Sequence, residues 1–401
     1  MFPVRANESE PAAFQISQAS QQAFAKVSEL LQKGVTDGAY PGAVLLVGRN
    51  GQVVYHYQVG HKWLEAPEGI KNEMTRDTVF DLAGLTSLVI TTTLFMQFVE
   101  TARVRLEDKV SRYLQPFGVT GKTSITIEQL LSHASGLPSW MPYFEDLVKA
   151  HSTDRIGILT SRGAREYIYN AINRSSIKFE PGTKQLYSDL GLMVLGNIAE
   201  QLTGLTLDKA AQKYVLQPLG MKNSSYVDLA MIKRRGIHPI KNRIAPTEDC
   251  AWRKRVLCGE VHDDNAWAMG GIAGHSGLFS NVIDLHLFAS ELLRAQRGQS
   301  NFLKRETVNR FFNGPKKYEA EGGYMLGWEL PNRDNNMSES KLSPSAVGQC
   351  SFTGCSLWLD PLQDIDVILL TNRIHPSRSS KQIRHLRPAL HDAVVDALAG
   401  A

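Results

Sequence analysis

Strand signals in this chain gather at its two ends, while residues 105–235 between them read mostly as helix. That distribution is the tightest constraint on the fold. Near the N-terminus, Ala43–Gly48 and Val53–Tyr57 flank Asn50-Gly51, a strong two-residue hairpin signal. Near the C-terminus, Tyr324–Leu330, Ser351–Leu359 and Asp366–Thr371 read as strands, and a helix follows through 384–399. The middle is broken at Gly136-Leu137-Pro138 and Pro181-Gly182. One sheet assembled from both termini, with a helical insertion beside it, accommodates all of these and makes the class α+β. Residues 1–19 read as a loose arm and 20–401 as the domain, with a sheet lobe near 20–80 and 320–401 and a helical lobe near 105–235. Phe24, Val27, Leu30 and Leu31 predict a helix within 20–36, and Asp77–Phe80 a short strand. A further helix is predicted to begin at Gly84 and run to Glu100, turning Leu88, Phe95 and Val99 into the core.

Charge narrows the function classes. The chain carries 44 basic and 40 acidic residues, and its net +4 is dispersed apart from short clusters such as Lys233-Arg234-Arg235 and Arg253-Lys254-Arg255. A nucleic-acid partner would call for a concentrated basic stretch, so none is expected. No apolar run reaches ~18 residues, so no membrane span is expected. The first twenty residues are polar and lack the apolar core of a signal peptide. As given, the chain reads as cytoplasmic; a periplasmic or secreted location follows if a leader has been removed. Four cysteines make no disulfide framework in a chain of this length. Cys250, Cys258 and His262 lack paired CxxC or HExxH spacing, so neither metal nor cofactor is expected.

Five segments carry a more specific signal. In order they are Phe80–Ser87 (FDLAGLTS), Ile127–Leu137 (IEQLLSHASGL), Pro181–Gly196 (PGTKQLYSDLGLMVLG), Gly259–Asn281 (GEVHDDNAWAMGGIAGHSGLFSN) and Gly348–Pro376 (GQCSFTGCSLWLDPLQDIDVILLTNRIHP). This series resembles the serine β-lactamase and penicillin-binding-protein hydrolases of the class C type, over residues 20–395. The last two segments look most like a branch containing peptidoglycan-recycling exo-amidases and a penicillin-binding protein of the 4B type. The resemblance implies a β-lactamase/transpeptidase-like fold: an antiparallel sheet flanked by helices, an all-helical lobe, and a site between them. Two stray S-x-x-K matches, Ser175–Lys178 and Ser338–Lys341, follow no Phe-Asp-Leu-Ala strand and are set aside.

Acyl transfer in that family uses a serine at a helix N-terminus and a desolvated lysine one turn later. The resemblance puts Gly84 at the serine position and Ser87 at the lysine position. Glycine offers no nucleophile. Ser87 lies about 4.5 Å further along a helix axis, and Ile90 follows it where a lysine would be needed. Tyr187-Ser188-Asp189 matches the family's Tyr-x-Asn/Asp element, which implies a proton relay through the Tyr187 phenol and a catalytic position for Asp189. The strand motif, Lys- or His-Thr-Gly in the family, has become Gln349-Cys350-Ser351. Cys350 is a replacement nucleophile only with a base beside it, and no neighbour in sequence supplies one. The resemblance also implies an oxyanion hole of backbone N–H groups at Gly84 and Phe352, which side-chain replacement leaves intact. His262, Asp263 and His275 are expected to line the same pocket with Cys350, Ser351 and Phe352.

Three degenerate chemical positions in an intact scaffold point to a catalytically inactive or strongly impaired homologue. Its expected occupant is a peptidoglycan fragment or small acyl ligand, or else a protein partner. Two other readings stay open: an active esterase, amidase or D-amino-acid peptidase with an unrecognised nucleophile, and an assembly subunit with a vestigial cleft.

Overall fold

The computed structural model of the chain describes residues 18–154, 158–315, 323–331 and 341–400. The arm expected over 1–19 falls almost wholly outside these residues, as do Ser338, Glu339 and Ser340 of the second stray motif. The hairpin forms where its turn signal places it. Strands β1 (Gly42–Arg49) and β2 (Gln52–Gly60) pair across Asn50 and Gly51, whose φ angles of 54° and 73° are those a primed turn needs. Three short strands, β3 (Phe80–Asp81), β4 (Ser225–Tyr226) and β7 (Leu278–Ser280), make a small sheet of order β3-β7-β4. A two-stranded ribbon joins β5 (Asp249–Cys250) to β6 (Arg255–Val256). The main sheet adds β8 (Val347–Cys350), β9 (Ser356–Asp360) and β10 (Ile365–Thr371) to the hairpin in the order β2-β1-β10-β9-β8, every pair antiparallel.

Side-chain alternation gives this sheet two buried faces. Ala43, Leu45, Val47, Val367 and Leu369 pack with Phe24, Val27 and Leu31 of the N-terminal helix and with Leu390 and Val394 of the C-terminal helix (Ile383–Ala399). Val44, Leu46, Leu357, Ile368 and Leu370 turn the other way into a larger core shared with the helical elements. The N-terminal helical stretch is split at Phe24, which stacks on Tyr55 at 4.4 Å. Among the described residues, no single helix is long and apolar enough to cross a membrane.

Three local expectations need correction. Tyr324–Leu330 is not a strand but turns joined by isolated bridges, because Gly323 and Gly327 adopt φ of 69° and 83°. The Ser351–Leu359 segment divides into a turn over 351–355, directly after β8, and β9. The helix after β3 does not open at Gly84. Ala83 takes φ of 44°, Gly84 stays in the turn, and Ser87–Thr92 winds as a π-helix before Thr93–Glu100 becomes α-helical. The β-branched run Val89–Thr93 disfavours tight α winding, and the Thr93 hydroxyl bonds the Leu88 carbonyl five residues back, 3.3 Å away. Leu88 and Phe95 are fully buried, while Val99 packs half-buried at the core margin.

Candidate active site

A cleft of about 530 Å³ opens between the edge of the main sheet and the helical elements. It is lined by nine of the side chains or backbones singled out in the sequence: Gly84, Tyr187, Asp189, His262, Asp263, His275, Cys350, Ser351 and Phe352. Ser87 and Gln349 do not line it, although the Gln349 side chain reaches Gly84.

The turn carrying Gly84 is fixed from several sides. Leu82 N–H donates to Leu278 O of β7, and Asp81 accepts from Ala83 N at 2.9 Å and from His262 N at 2.7 Å. Thr353 donates to Asp81 O at 2.9 Å, tying the same turn to the loop after β8. A Cβ built on Gly84 would lie 3.2 Å from Gln349 Nε2, 3.4 Å from Tyr187 Oη and 4.0 Å from Ser351 Cβ. Gly84 therefore faces the group of residues that its motif position implies. Ser87 does not: it is buried and its hydroxyl donates to Gly84 O at 2.8 Å. Gln349 is also buried, and its Oε1 accepts no hydrogen bond among the described residues.

Tyr187 and Asp189 stand at the start of the helix Asp189–Thr203. Ser188 caps it by accepting from Gly191 N, and donates its hydroxyl to Pro138 O at 2.7 Å. Gly196 lets that helix approach Gly274, since a Cβ there would meet Gly274 Cα at 2.9 Å. The Tyr187 ring packs against His133 at 4.6 Å, and His133 Nδ1 accepts from Ser188 N at 3.1 Å. Burial pushes His133 down to about 3, so it is a neutral support. Burial, reinforced by Asp189, raises the Tyr187 phenol well above its usual range.

On the opposite wall Asp263 caps the short helix Asp264–Ala268 and accepts from His275 Nε2 at 2.9 Å. Burial opposes charge on both, yet their mutual attraction prevails, lowering Asp263 and raising His275. Burial, with Asp263 adding to it, raises Asp189. The three residues bring donor atoms within 4.8 Å of one another, a set able to hold a cation, although His275 and Asp263 already engage each other. The Cys250, Cys258 and His262 grouping gathers no such set. Cys258 Sγ faces Ile244 O, and His262 pairs with Glu248 at 2.9 Å.

Burial lifts the Cys350 thiol to about 11, so it is protonated at neutral pH. Phe352 is 49% exposed, and its ring stacks on His262 at 5.5 Å. Gly84 N–H and Phe352 N–H find no acceptor among the described residues. Sequence reasoning missed several groups at this site. His133 and Arg373 lie inside quoted segments, where their side-chain chemistry was the available signal. Glu329, Arg384 and Arg387 lie outside every motif.

The beta-lactamase family profile matches residues 27–390. The chain is 29% identical over 380 residues to an N-acetylmuramyl-L-alanine amidase of Bacillus subtilis (strain 168), covering 90% of this chain and 83% of that protein. It is 28% identical over 368 residues to a putative D-alanyl-D-alanine carboxypeptidase of Escherichia coli (strain K12), covering 84% and 80%. Among solved structures, EstCE1, a hydrolase with promiscuous acyltransferase activity, superposes with TM-score 0.70 at 22% identity, covering 94% of this chain and all of that one. The octameric penicillin-binding protein homologue from Pyrococcus abyssi gives 0.67 at 21% identity, covering 94% and 77%. Those two likenesses concern the fold; the profile match and the ordered segments carry the kinship. This chain belongs to the beta-lactamase family of serine hydrolases.

Proposed function

We propose that this chain is a non-acylating member of its family whose cleft binds a peptidoglycan-like fragment. The observation that carries the reading is the centre of the cleft, where Gly84 presents no side chain to Tyr187 and Gln349. The Ser87 hydroxyl is engaged with Gly84 O, and the Cys350 thiol is held protonated by burial. Loss of the nucleophile from a comparable serine–base unit lowers the rate roughly 10⁶-fold. Ligand binding survives such a loss, because it rests on the cleft and on backbone donors. An open cleft into which Tyr187, Asp189, His262, Asp263 and His275 converge supports this reading over a vestigial one. The fragment class follows the names of the relatives, an amidase and a carboxypeptidase.

Incubation with fluorescent penicillin and with a fluorophosphonate, read by intact-protein mass spectrometry, is expected to leave the mass unchanged. A stoichiometric adduct on Cys350, Ser87 or any other residue would overturn the proposal.

A further inference from the structure

A second cavity, of about 560 Å³, is lined by the connection from the N-terminal helix into β1 and by the loops after β2 and β10. Its apolar lining is the Tyr40 ring, Pro41, Trp63 and Leu64, the last 61% exposed. The polar groups around that lining are satisfied within the fold. Tyr40 donates its hydroxyl to Leu31 O at 3.1 Å. Asn72 accepts Trp63 N–H at 2.7 Å and donates to Trp63 O at 2.9 Å. His375, edge-on to the Trp63 ring at 5.8 Å, donates through Nδ1 to Thr247 O and accepts Leu64 N–H at 3.3 Å through Nε2. Trp63 itself is the exception. It is 6% exposed, and its indole N–H has no acceptor among the described residues. A buried donor left unpaired is costly, and a buried indole N–H usually meets an oxygen. Arg373 lines both this cavity and the cleft beside Gly84. Its Nη1 donates to Ser380 O at 2.6 Å, on the wall of this cavity, and its Nε to Phe352 O at 2.9 Å, in the loop after β8. One planar guanidinium therefore bridges the two.

We infer that this cavity is a second binding site, for a small acyl compound whose apolar chain packs on Trp63, Pro41 and Leu64 and whose carbonyl oxygen accepts from Trp63 Nε1. An apolar pocket with one well-placed donor selects that chemistry. A ligand here also touches the Ser380 wall, so its occupancy is transmitted through Arg373 to the Phe352 loop. The site stands apart from Gly84 and does not depend on what the first cleft binds.

The test follows the indole N–H signals of the full chain with its six tryptophans labelled with nitrogen-15. Trp63→Phe identifies the Trp63 signal by its loss. Leu64→Gln, a change at an exposed position, identifies the same signal by shifting it, should the first variant not fold. Hexanamide and hexanoate are the probes, one neutral and one acidic, and hexylammonium, which has no acceptor, is the control. At least one acyl probe is expected to move the Trp63 signal downfield, as a newly made hydrogen bond does, while hexylammonium leaves it in place. Leu64→Gln should weaken that binding about threefold, through lost apolar contact. In a sample labelled at phenylalanine the Phe352 amide should respond to the same probe. Arg373→Gln should abolish that response while the Trp63 signal still moves. The site is overturned if the Trp63 signal stays fixed with both acyl probes or moves equally with hexylammonium. The transmission is overturned if the Phe352 amide does not respond in the parent or responds unchanged in Arg373→Gln.

Discussion

Ser87 lies one turn from the site centre, yet its hydroxyl is directed at the Gly84 carbonyl and away from the cleft. Proximity in sequence therefore does not make it a nucleophile. Gly84 itself is not at positive φ, and the closest atom to an added Cβ is the tip of the flexible Gln349 side chain. Gly84→Ser is accordingly expected to change stability by less than about 0.5 kcal/mol in chemical unfolding. Gly84→Ser with Ser87→Lys should restore slow labelling by fluorescent penicillin. Adding Gln349→His should raise the rate by more than the separate effects combined, because such groups act as a unit; a folded triple variant that stays unlabelled would contradict this. Glu329 gives a pH signature. Burial raises its carboxyl from 4.5 to about 7, so the folded state favours the protonated form. Its contribution is complete below pH 4.5 and is lost as pH rises through 7, by on the order of 1 kcal/mol because the side chain keeps some water. Glu329→Gln should flatten the Tm profile between pH 5 and 8, and an unchanged slope would refute the assignment. At this scale the sequence was informative wherever a residue sits in an ordered motif, as Gly84, Tyr187 and His275 do. It was silent for Arg384 and Arg387, since two arginines on a helix face look like any solvated face.

Helices and strands were legible where local chemistry decides them. Asn50-Gly51 dictates its turn in any context that tolerates positive φ, and β1 and β2 follow from it. The segment Tyr324–Leu330 was misread because Met325, Leu326 and Trp328 are core residues whose burial mimics a strand pattern, while the deciding contact is remote. A Cβ on Gly327 would meet Thr92 Oγ1 at 2.1 Å, and Gly327 N–H donates to Leu131 O at 2.8 Å. Gly327→Ala should therefore cost at least about 2 kcal/mol in urea unfolding, from φ strain and overlap together. A loss below 0.5 kcal/mol would show that Thr92 can yield. The π-helical stretch Ser87–Thr92 belongs to the same class of feature. Thr91 donates to Gly274 O at 2.6 Å, a partner 183 residues away that no local pattern reveals.

Across the whole molecule, a sheet shared by both ends of the chain was readable from the placement of strand signals. Its order, β2-β1-β10-β9-β8, was not, because order is settled by pairing between distant segments. The cleft inherits that dependence: Gly84 belongs to one end of the chain, Cys350 and the arginines to the other, and Tyr187 to the stretch between. The pairing of Ala43 with Thr371 and of Arg49 with Ile365 has a further consequence for biosynthesis. While the chain is still emerging from a ribosome, β1 has β2 on one side and a bare row of backbone donors and acceptors on the other. That edge stays bare until Ile365–Thr371 has been made. Such an edge is an invitation to mispairing, and closure over so long a span is intrinsically slow. The nascent chain thus carries a half-paired β1 throughout the synthesis of the helical stretch that follows, which makes it a natural client for chaperones that shield extended apolar segments.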